Sequence, residues 1–381
     1  MIKRKTFRYR LKPNKKSCMA FASFSGCCRW IYNFALNAKK LAYDELDQTL
    51  SLFDLNNLLP ILKKEEETKW LANIHSQVLQ QSLHDLNRAY EAFFRRVKNG
   101  ENPGFPKFKR KGTGDSFRYP QGVKIKDNQV YLPKIGWVRF KKSREIEGAI
   151  KQTTVIREAG HWYVCFSCEF EVNELRRPLC QETVIGIDVG LSTFATIAEG
   201  ESNIVREVEN PRFLKRGLQK LQFLSRQLSK KKYKSANWFK AKHKLQVFQA
   251  SLKNCRKDFA HKLSTLLVKN HDIIGIESLS IQSMLQEGSS KLSRSIADAG
   301  WGQFLNYLRY KVEYAGKLLV EADRWFASTR QCSQCHRKRE MKLSDRIFKC
   351  ECGHEMGRDA NAAVNLKNVA IEQFQAAGTA V

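Results

Sequence analysis

The chain has 381 residues, of which 67 are Lys or Arg and 38 are Asp or Glu, so its formal net charge is +29. This balance argues against an ordinary small-molecule enzyme and favours a polyanionic partner, either nucleic acid or an acidic membrane surface. A hydrophobic fraction of 42% is too high for a disordered basic tail. We therefore expect a folded protein with about two or three domains.

Neither a membrane-spanning segment nor a secretion signal is visible. The sequence has no apolar run long enough to cross a bilayer, and residues 1–5 lack the apolar stretch of a signal peptide. The 11 cysteines are an odd number without such a signal, which disfavours a disulfide framework. We therefore expect a protein of the reducing cytoplasm in which some thiols are available to bind a metal.

The N-terminal third of the chain begins with a strand pattern and continues with a helical one. Phe7, Tyr9 and Leu11 alternate with basic residues, which predicts a strand with one solvated, basic face. Between residues 16 and 99, apolar residues recur at helical spacing, and Gly and Pro are almost absent. We expect helices there, and a break where Gly and Pro return at residues 100–104.

Residues 104–172 have mainly strand patterns. A hairpin is predicted over residues 153–170, with its turn at Ala159 and Gly160. One strand, a helical insertion and then more strands indicate a small β-barrel that is interrupted by a helical domain. The corresponding boundaries are residues 1–15 for the first barrel strand, 16–103 for the helical domain and 104–180 for the remaining strands.

From residue 183 the pattern becomes that of an α/β domain. Residues 184–188 and 273–277 are short apolar runs that end in Asp188 and Glu277, as expected of buried strands with a carboxylate at the tip. A third acid, Asp359, opens an Ala-rich helix. For any one of these acids taken alone, a helix cap or a surface ion pair is the commoner role.

Taken together, the three acids indicate a site for divalent cations. Carboxylates at the ends of buried strands are costly to desolvate, and converging carboxylates also repel one another. Two Mg²⁺ or Mn²⁺ ions about 3.5–4 Å apart would offset this charge and activate a water for attack on phosphorus. Oxygen ligands without a nearby His in the sequence favour Mg²⁺ over Zn²⁺.

Two close cysteine pairs near the C-terminus predict a structural Zn²⁺ site with four thiolate ligands. The second pair is spaced more tightly than usual, so His336 or His354 remains an alternative ligand. Cys165 and Cys168 have a similar spacing, but in a strand they would point to opposite faces, so we expect them to bind no metal. The predicted zinc ligands are Cys332, Cys335, Cys350 and Cys352.

The strongest basic run lies between residues 211 and 262, where 16 Lys or Arg accompany a single acid, Asp258. A merely solvated helix face normally mixes charges, so this imbalance favours contact with phosphates, with Trp238 and Phe239 as aromatic anchors. A second basic cluster, beside two phenylalanines, lies at residues 107–111. The predicted nucleic-acid contacts in these clusters are Lys107, Lys109, Arg110, Lys231, Lys232, Lys234 and Lys240.

Gln77 and Gln80 lie near the start of an amphipathic helix pattern. Glutamine can form paired hydrogen bonds with a base edge, so both are candidates for base contact. Solvent-facing glutamines without such a role are more common, and that alternative stays open.

The segments around the three acids resemble a known family. They are similar to the three RuvC motifs of TnpB proteins, which are transposon-encoded RNA-guided DNA nucleases related to type V CRISPR effectors. Other family-like segments extend the resemblance over nearly the whole chain. The RuvC-like segments are residues 185–190, 275–279 and 358–365, and the others are residues 10–13, 104–109 and 256–264.

The resemblance implies a multidomain α/β protein with an RNase H-like RuvC nuclease domain. It also implies that the N-terminal β-barrel is a wedge domain and that the inserted helices form a recognition domain. Asp188, Glu277 and Asp359 would be the catalytic triad that holds Mg²⁺ or Mn²⁺. The implied boundaries are 181–330 for the nuclease domain with a basic helical insert at about 211–270, 331–356 for a zinc ribbon, and 357–381 for the last motif, helix and tail.

The resemblance also implies partners and an activity. A monomer would bind a guide RNA derived from the transposon end, and would cleave double-stranded target DNA beside a short adjacent motif by metal-dependent phosphodiester hydrolysis. The location would be a prokaryotic cytoplasm, at the nucleoid when DNA is bound. Family members often have an acid two residues before the third catalytic Asp, and this chain has Gly357 there.

Two other functions remain as alternatives. A guide-bound DNA-binding regulator without cleavage would fit the missing acid at Gly357, but all three triad positions are acidic. A transposase that joins DNA ends is ranked last, because the chain has no His-x-His pair of the kind used by single-tyrosine transposases.

Overall fold

The computed structural model describes residues 2–112, 114–171, 179–342 and 345–378. The chain separates into two compact units, Met1–Asn173 and Glu174–Val381. Within the described residues, no helix combines the length and apolar character needed to cross a bilayer.

The first unit contains a seven-stranded antiparallel sheet in the order β2-β6-β7-β1-β5-β4-β3. Strand β1 is central because it pairs with β7 along most of its length and with β5 at its end. The alternation of Phe7, Tyr9 and Leu11 is confirmed, since all three are buried. The strands are β1 (Ile2–Lys12), β2 (Ser116–Tyr119), β3 (Lys124–Lys126), β4 (Gln129–Leu132), β5 (Gly136–Phe140), β6 (Ala149–Glu158) and β7 (His161–Glu171).

The closed barrel expected from the sequence is not found among the described residues. Strands β2 and β3 lie at opposite edges of the sheet and do not pair with each other. They have four and three residues, which offers little backbone for closure. Aromatic side chains from a helix cover the sheet instead: the ring of Phe21 lies 5.1 Å from Trp162, and that of Phe24 lies 5.2 Å from Phe117.

The helical region predicted between residues 16 and 99 is confirmed as three α-helices and one short 3₁₀ helix, Glu66–Asn73. The Asn14 side chain caps the first helix by accepting from the Ser17 backbone N–H, and Ser51 forms a capping box with Asp54. The α-helices are α1 (Lys15–Leu46), α2 (Leu52–Leu62) and α3 (Ser76–Lys98).

The hairpin predicted around residue 160 is formed by β6 and β7. Ala159 and Gly160 both have positive φ angles, 48° and 81°, as a tight two-residue hairpin turn requires. Val164 and Phe166 are buried on one face of β7.

The second unit contains a five-stranded sheet in the order β10-β9-β8-β11-β12. The first three strands form an antiparallel meander, whereas β11 runs parallel to both β8 and β12. The mixed α/β class expected for this part of the chain is confirmed. The strands are β8 (Val184–Val189), β9 (Thr193–Glu199), β10 (Ile204–Glu209), β11 (Ile273–Glu277) and β12 (Leu318–Ala322).

Helices cover both faces of this sheet. Ile185 and Ile187 of β8 share one apolar cluster with residues of α5 and α8, whereas Val184 belongs to a cluster with α9 on the other face. A small hairpin precedes α9. The elements are α4 (Phe213–Ser229), α5 (Ala236–Asn270), α6 (Ile281–Glu287), α7 (Ser290–Ala299), α8 (Trp301–Tyr314), β13 (Ile347–Lys349), β14 (Glu355–Gly357) and α9 (Arg358–Gly378).

Candidate active site and metal centre

Two neighbouring parallel strands carry Asp188 and Glu277 at the same edge of the sheet. Ile187 of β8 is in register with Ile276 of β11, so the acids that follow these residues are neighbours. The carboxyl ends of parallel strands are where open α/β sheets place their binding sites. The structure therefore brings together two of the three predicted acids.

Helix α9 approaches this edge because two strand residues lack side chains. A Cβ atom on Gly186 would overlap the backbone oxygen of Ala363, and one on Gly275 would overlap that of Leu366. Only glycine permits the backbone of α9 to pack so closely on β8 and β11. The first turn of α9, which carries Asp359, is thereby held at the end of β8 where Asp188 lies.

The electrostatics of the site couple Asp188 to the other two carboxylates. Asp188 is only 8% exposed, and burial raises its pKa well above the ordinary range. The negative charges of Asp359 and Glu277 raise this pKa further, while Arg358 lowers it. Burial also raises the pKa of Glu277. Without a cation, full ionisation of this site is therefore unfavourable.

The donor set of this site fits hard divalent cations such as Mg²⁺ or Mn²⁺. All three side chains offer carboxylate oxygens, which these ions prefer. Among the described residues, only the cysteine group discussed below brings three or more His, Cys, Asp or Glu ligand atoms within 4.8 Å of one another. The ligand atoms of the three carboxylates are therefore not all within this distance of one another.

Gly357, where the resembling family often has an acid, ends β14 directly before α9. A Cβ at this position would meet only the Cβ of Ala360, at 3.9 Å, which is ordinary contact. Packing thus does not require glycine here, and the backbone has room for an acidic side chain.

The four predicted zinc ligands converge. Their sulfur atoms all lie within 4.8 Å of one another, with Cys332 Sγ 3.7 Å from Cys352 Sγ and Cys335 Sγ 3.5 Å from Cys350 Sγ. Zinc–sulfur bonds of about 2.3 Å in a tetrahedron imply sulfur–sulfur distances of about 3.8 Å. The cluster can therefore hold a structural zinc ion.

The two alternative zinc ligands have other partners. His354 Nε2 lies 3.0 Å from the hydroxyl of Ser333, and His336 Nδ1 lies 3.2 Å from the side-chain nitrogen of Gln331. With four converging thiols, neither imidazole is needed for tetrahedral coordination.

Lys109, a predicted phosphate contact, is exposed in the segment after α3, and its side chain lies beside an aromatic ring. Its ammonium group lies 4.0 Å from the centre of the Tyr32 ring, and desolvation lowers its pKa. Its backbone exchanges hydrogen bonds with the side chain of Asn33. Lys107 is exposed in the same loop, which also carries Arg110.

Gln77 and Gln80 lie near the start of α3, three residues apart, and both are partly exposed. This spacing places them on neighbouring turns of one helix face. Their apolar neighbours, Val78 and Leu79, are fully buried.

The lysines of the basic insert surround the turn between α4 and α5. We call this turn and the start of α5, residues 230–242, the basic tip. Within it, the ring of Trp238 lies 5.1 Å from Tyr233 and 5.2 Å from Phe239, and the ammonium group of Lys242 lies 4.9 Å from the Trp238 ring centre. The exposed predicted contacts here are Lys231, Lys232, Lys234 and Lys240.

Sequence reasoning missed two residues of these sites. Tyr233 is 68% exposed at the basic tip. In the sequence, its position as an aromatic residue within a run of lysines could have indicated it. Arg358 donates from its Nε to Asp359 Oδ1 at 3.3 Å, and its positive charge lowers the pKa of Asp188. In the sequence, only its position beside a predicted ligand could have indicated this role.

Three family models match the chain. They are described as "Probable transposase" (OrfB_IS605) over residues 166–287, "Cas12f1-like, TNB domain" over residues 301–366 and "Helix-turn-helix domain" (HTH_OrfB_IS605) over residues 1–48. In the structure, the last of these segments is β1 followed by the single continuous helix α1.

Two curated relatives match almost end to end. The chain is 34% identical to "Putative RNA-guided DNA endonuclease InsQ" of Escherichia coli (strain K12), with 96% of this chain and 92% of that protein covered. It is 32% identical to "Putative RNA-guided DNA endonuclease" of Streptomyces pristinaespiralis, with 95% and 88% covered.

A solved structure described as "Structure of the mini-RNA-guided endonuclease CRISPR-Cas_phi3" aligns with 97% of this chain and 92% of that chain. The TM-score is 0.47 and the sequence identity is 8%.

The fold and the two clusters define a class: a mixed α/β protein with an acidic sheet edge and a separate four-cysteine cluster that can hold a metal ion. Sequence identity of 34% over nearly the full length of a relative then narrows this class to a single family. The chain belongs to the TnpB family, the OrfB proteins of IS605-type transposons.

Proposed function

We propose that this chain is an RNA-guided DNA endonuclease. Hydrolysis of the phosphodiester bond would take place at the site of Asp188, Glu277 and Asp359. The observation that carries this proposal is the placement of Asp188 and Glu277 on neighbouring strand ends, where burial and the charges of Glu277 and Asp359 raise the pKa of Asp188. The names of the two full-length relatives support the same activity.

The roles of the residues follow from their surroundings. Mg²⁺ or Mn²⁺, when bound, would neutralise the carboxylates and supply an activated water. Asp188, the deepest of the three, would hold the ions from the sheet side, while Glu277 and Asp359 are closer to solvent. Arg358 adds a positive charge beside Asp359, which favours the approach of a phosphate.

We propose nuclease, zinc-ribbon, wedge and recognition domains at the boundaries given by the sequence, with the wedge strands forming an open sheet. The four-cysteine centre would hold Zn²⁺ as a structural ion, because protein sulfurs fill all four positions. A net charge of +29 favours binding to the phosphates of a guide RNA and of a target DNA together. We propose that the chain acts as a monomer in the cytoplasm.

We assign the basic tip to backbone and base-stacking contacts with nucleic acid. Tyr233 and Phe239 are 68% and 55% exposed, so their rings can stack with bases, while the surrounding lysines meet phosphates. We expect Phe239→Ala to weaken binding of single-stranded RNA about tenfold, and Phe223→Ala, an exposed ring on α4 outside the tip, to leave it unchanged. Equal affinities of Phe239→Ala and Phe223→Ala for the RNA would contradict this assignment.

A cleavage assay tests the proposed function. The protein is purified with RNA from its transposon end and incubated with matched target DNA and Mg²⁺. We expect cleavage by the wild type and by Asp258→Ala, whose exposed acid on α5 pairs with Lys262, and none by Asp188→Ala. Cutting by Asp188→Ala at the wild-type rate would contradict the proposal.

The room at Gly357 favours one second candidate, a guide-bound DNA-binding regulator that does not cut. This candidate predicts tight target binding by the wild type with no product at any Mg²⁺ or Mn²⁺ concentration. It also predicts that Gly357→Asp, which adds the acid common in the family, produces cleavage. Cleavage by the wild type excludes this candidate.

A further inference from the structure

Helix α9 has a second face, opposite the sheet, that contacts the loop bearing the first cysteine pair. Asn361, Asn365 and Asn368 follow one another at spacings of four and three, so they share this face. All three direct their side chains to the backbone of residues 328–333, the loop that leads into Cys332.

Asn361 makes the most complete of these contacts. Its side-chain oxygen accepts from the backbone N–H of Ser333 at 3.0 Å, and its side-chain nitrogen donates to the backbone oxygen of Gln331 at 2.7 Å. These two partners flank Cys332 on either side. Because Asn361 is 0% exposed, both bonds form away from water, where an unsatisfied group is costly.

Asn365 binds the same loop one turn further along the helix. Its side-chain nitrogen donates to the backbone oxygens of Ser328 at 2.8 Å and Gln331 at 2.7 Å, and the residue is 1% exposed. Asn368 adds a single long bond of 3.4 Å to the Ser333 oxygen. The loop is therefore bound mainly by the first two amides.

The second cysteine pair is tied to the same end of α9. Cys350 and Cys352 lie in the connection between β13 and β14, and β14 leads directly into α9. The backbone N–H of Arg358 also donates to the Arg346 oxygen at 2.8 Å. Both halves of the cysteine cluster thus contact the first turn of α9, within which Asp359 lies two residues before Asn361.

We propose that Asn361 and Asn365 are positioning residues that couple metal occupancy at the cysteine centre to the placement of Asp359. A filled centre fixes the loop around Cys332, the two amides transmit its position to α9, and the opposite face of α9 is fixed by Gly186 and Gly275. This inference rests on the proposed function, because it takes Asp188 and Asp359 as ligands of the catalytic ions.

The coupling predicts a thermodynamic cycle that activity alone would not reveal. Calorimetry measures Mn²⁺ binding to the full-length protein in two states. In the first, the cysteine centre is loaded with Zn²⁺; in the second, a chelator has removed the Zn²⁺ and has then itself been removed. We expect loss of zinc to weaken Mn²⁺ binding about tenfold in the wild type. Asn361→Ala should weaken it by a similar factor with zinc present and show little further loss when zinc is removed.

Controls separate the possible failures. Asn306→Ala, which removes an exposed amide on α8 that bonds to Arg309, should leave the cycle unchanged. Asp188→Asn should abolish tight Mn²⁺ binding; if it does not, the proposed function fails and not only the coupling. If Asp188→Asn abolishes binding but zinc removal affects the wild type and Asn361→Ala equally, the coupling is overturned.

A folding defect in Asn361→Ala would not leave the proposal untested. The wild-type comparison with and without zinc needs no variant, and equal Mn²⁺ affinities in those two states overturn the coupling. Asn365→Ala offers a milder change, because it removes the bonds to the Ser328 and Gln331 oxygens but keeps both bonds of Asn361. We expect it to lie between the wild type and Asn361→Ala in Mn²⁺ affinity.

Discussion

The ammonium group of Lys311 lies 2.6 Å from the hydroxyl oxygen of Ser264, a fully buried residue of α5. The same ammonium donates to the His261 backbone oxygen at 2.8 Å and to Thr265 Oγ1 at 2.7 Å. Burial lowers the pKa of Lys311 to about 8. A charged amine is thus held between α8 and α5 by neutral oxygens, which gives the protein a pH-dependent stability term.

The sign of this dependence follows from proton linkage. Between pH 8 and the ordinary lysine value of 10.5, the unfolded chain holds the proton on Lys311 more tightly than the folded protein. The free energy of unfolding of the wild type should therefore rise with pH relative to Lys311→Met. After allowance for solvent screening at this partly exposed side chain, we expect a relative gain of about 1–2 kcal/mol. Urea denaturation at pH 7.5, 9 and 10 measures it.

An exposed lysine on α5 provides the control for that experiment. Lys269→Met should change the unfolding free energy by the same amount at each pH. A difference between the wild type and Lys311→Met that stays constant from pH 7.5 to 10 would contradict the prediction.

Asp188 should destabilise the metal-free protein as pH rises. Because its pKa is raised in the folded state, the folded protein binds this proton more tightly than the unfolded chain, so stability falls as pH increases from 3.8 through the folded value. Metal-free Asp188→Asn lacks this loss and should be more stable than the wild type at pH 7.5. Thermal denaturation without metal measures the difference.

Addition of Mg²⁺ should reverse that order. Bound cations offset the carboxylate charge in the wild type, so its melting temperature should rise, while that of Asp188→Asn should change little. Equal responses of both proteins to Mg²⁺ would show that Asp188 is not a ligand.

The close packing of α9 on Gly186 predicts a strong effect of one methyl group. Gly186→Ala would force the helix away from β8 at Ala363, and overpacking of this kind costs about 1–3 kcal/mol or more. Cleavage should fall with it, because Asp359 moves with the helix. Gly302→Ala on α8, where an added Cβ meets only Ile281 at 3.4 Å, should change stability by no more than about 0.5 kcal/mol. Equal urea midpoints of the two variants would contradict this account.

Removal of one thiol should empty the cysteine centre. Cys332 is fully buried in the cluster, so Cys332→Ser should reduce bound zinc from one ion per chain to nearly none and lower the unfolding free energy by more than about 3 kcal/mol. Atomic absorption and thermal denaturation measure these effects. Cys255→Ser, at an exposed thiol on α5, should retain the metal and the wild-type stability.

Local patterns in the sequence determined most of the secondary structure and the candidate ligands. The alternation of Phe7, Tyr9 and Leu11 was sufficient for β1, because strand periodicity is a property of neighbouring residues. Apolar runs ending in Asp188 and Glu277, and the spacing of the cysteines, likewise depend on short stretches of chain. These patterns predict which groups are candidates for binding a metal, without reference to any long-range contact.

Only the tertiary structure decided how these pieces meet. Contacts between residues far apart in sequence determine the strand order and leave β2 and β3 unpaired at opposite edges of the sheet. They also place the ammonium group of Lys109 over the Tyr32 ring. The same holds for Asn361, whose partners lie about thirty residues earlier in the chain. Local spacing shows that an asparagine lies on a helix, but only the packed chain shows which backbone groups would be left unpaired without it.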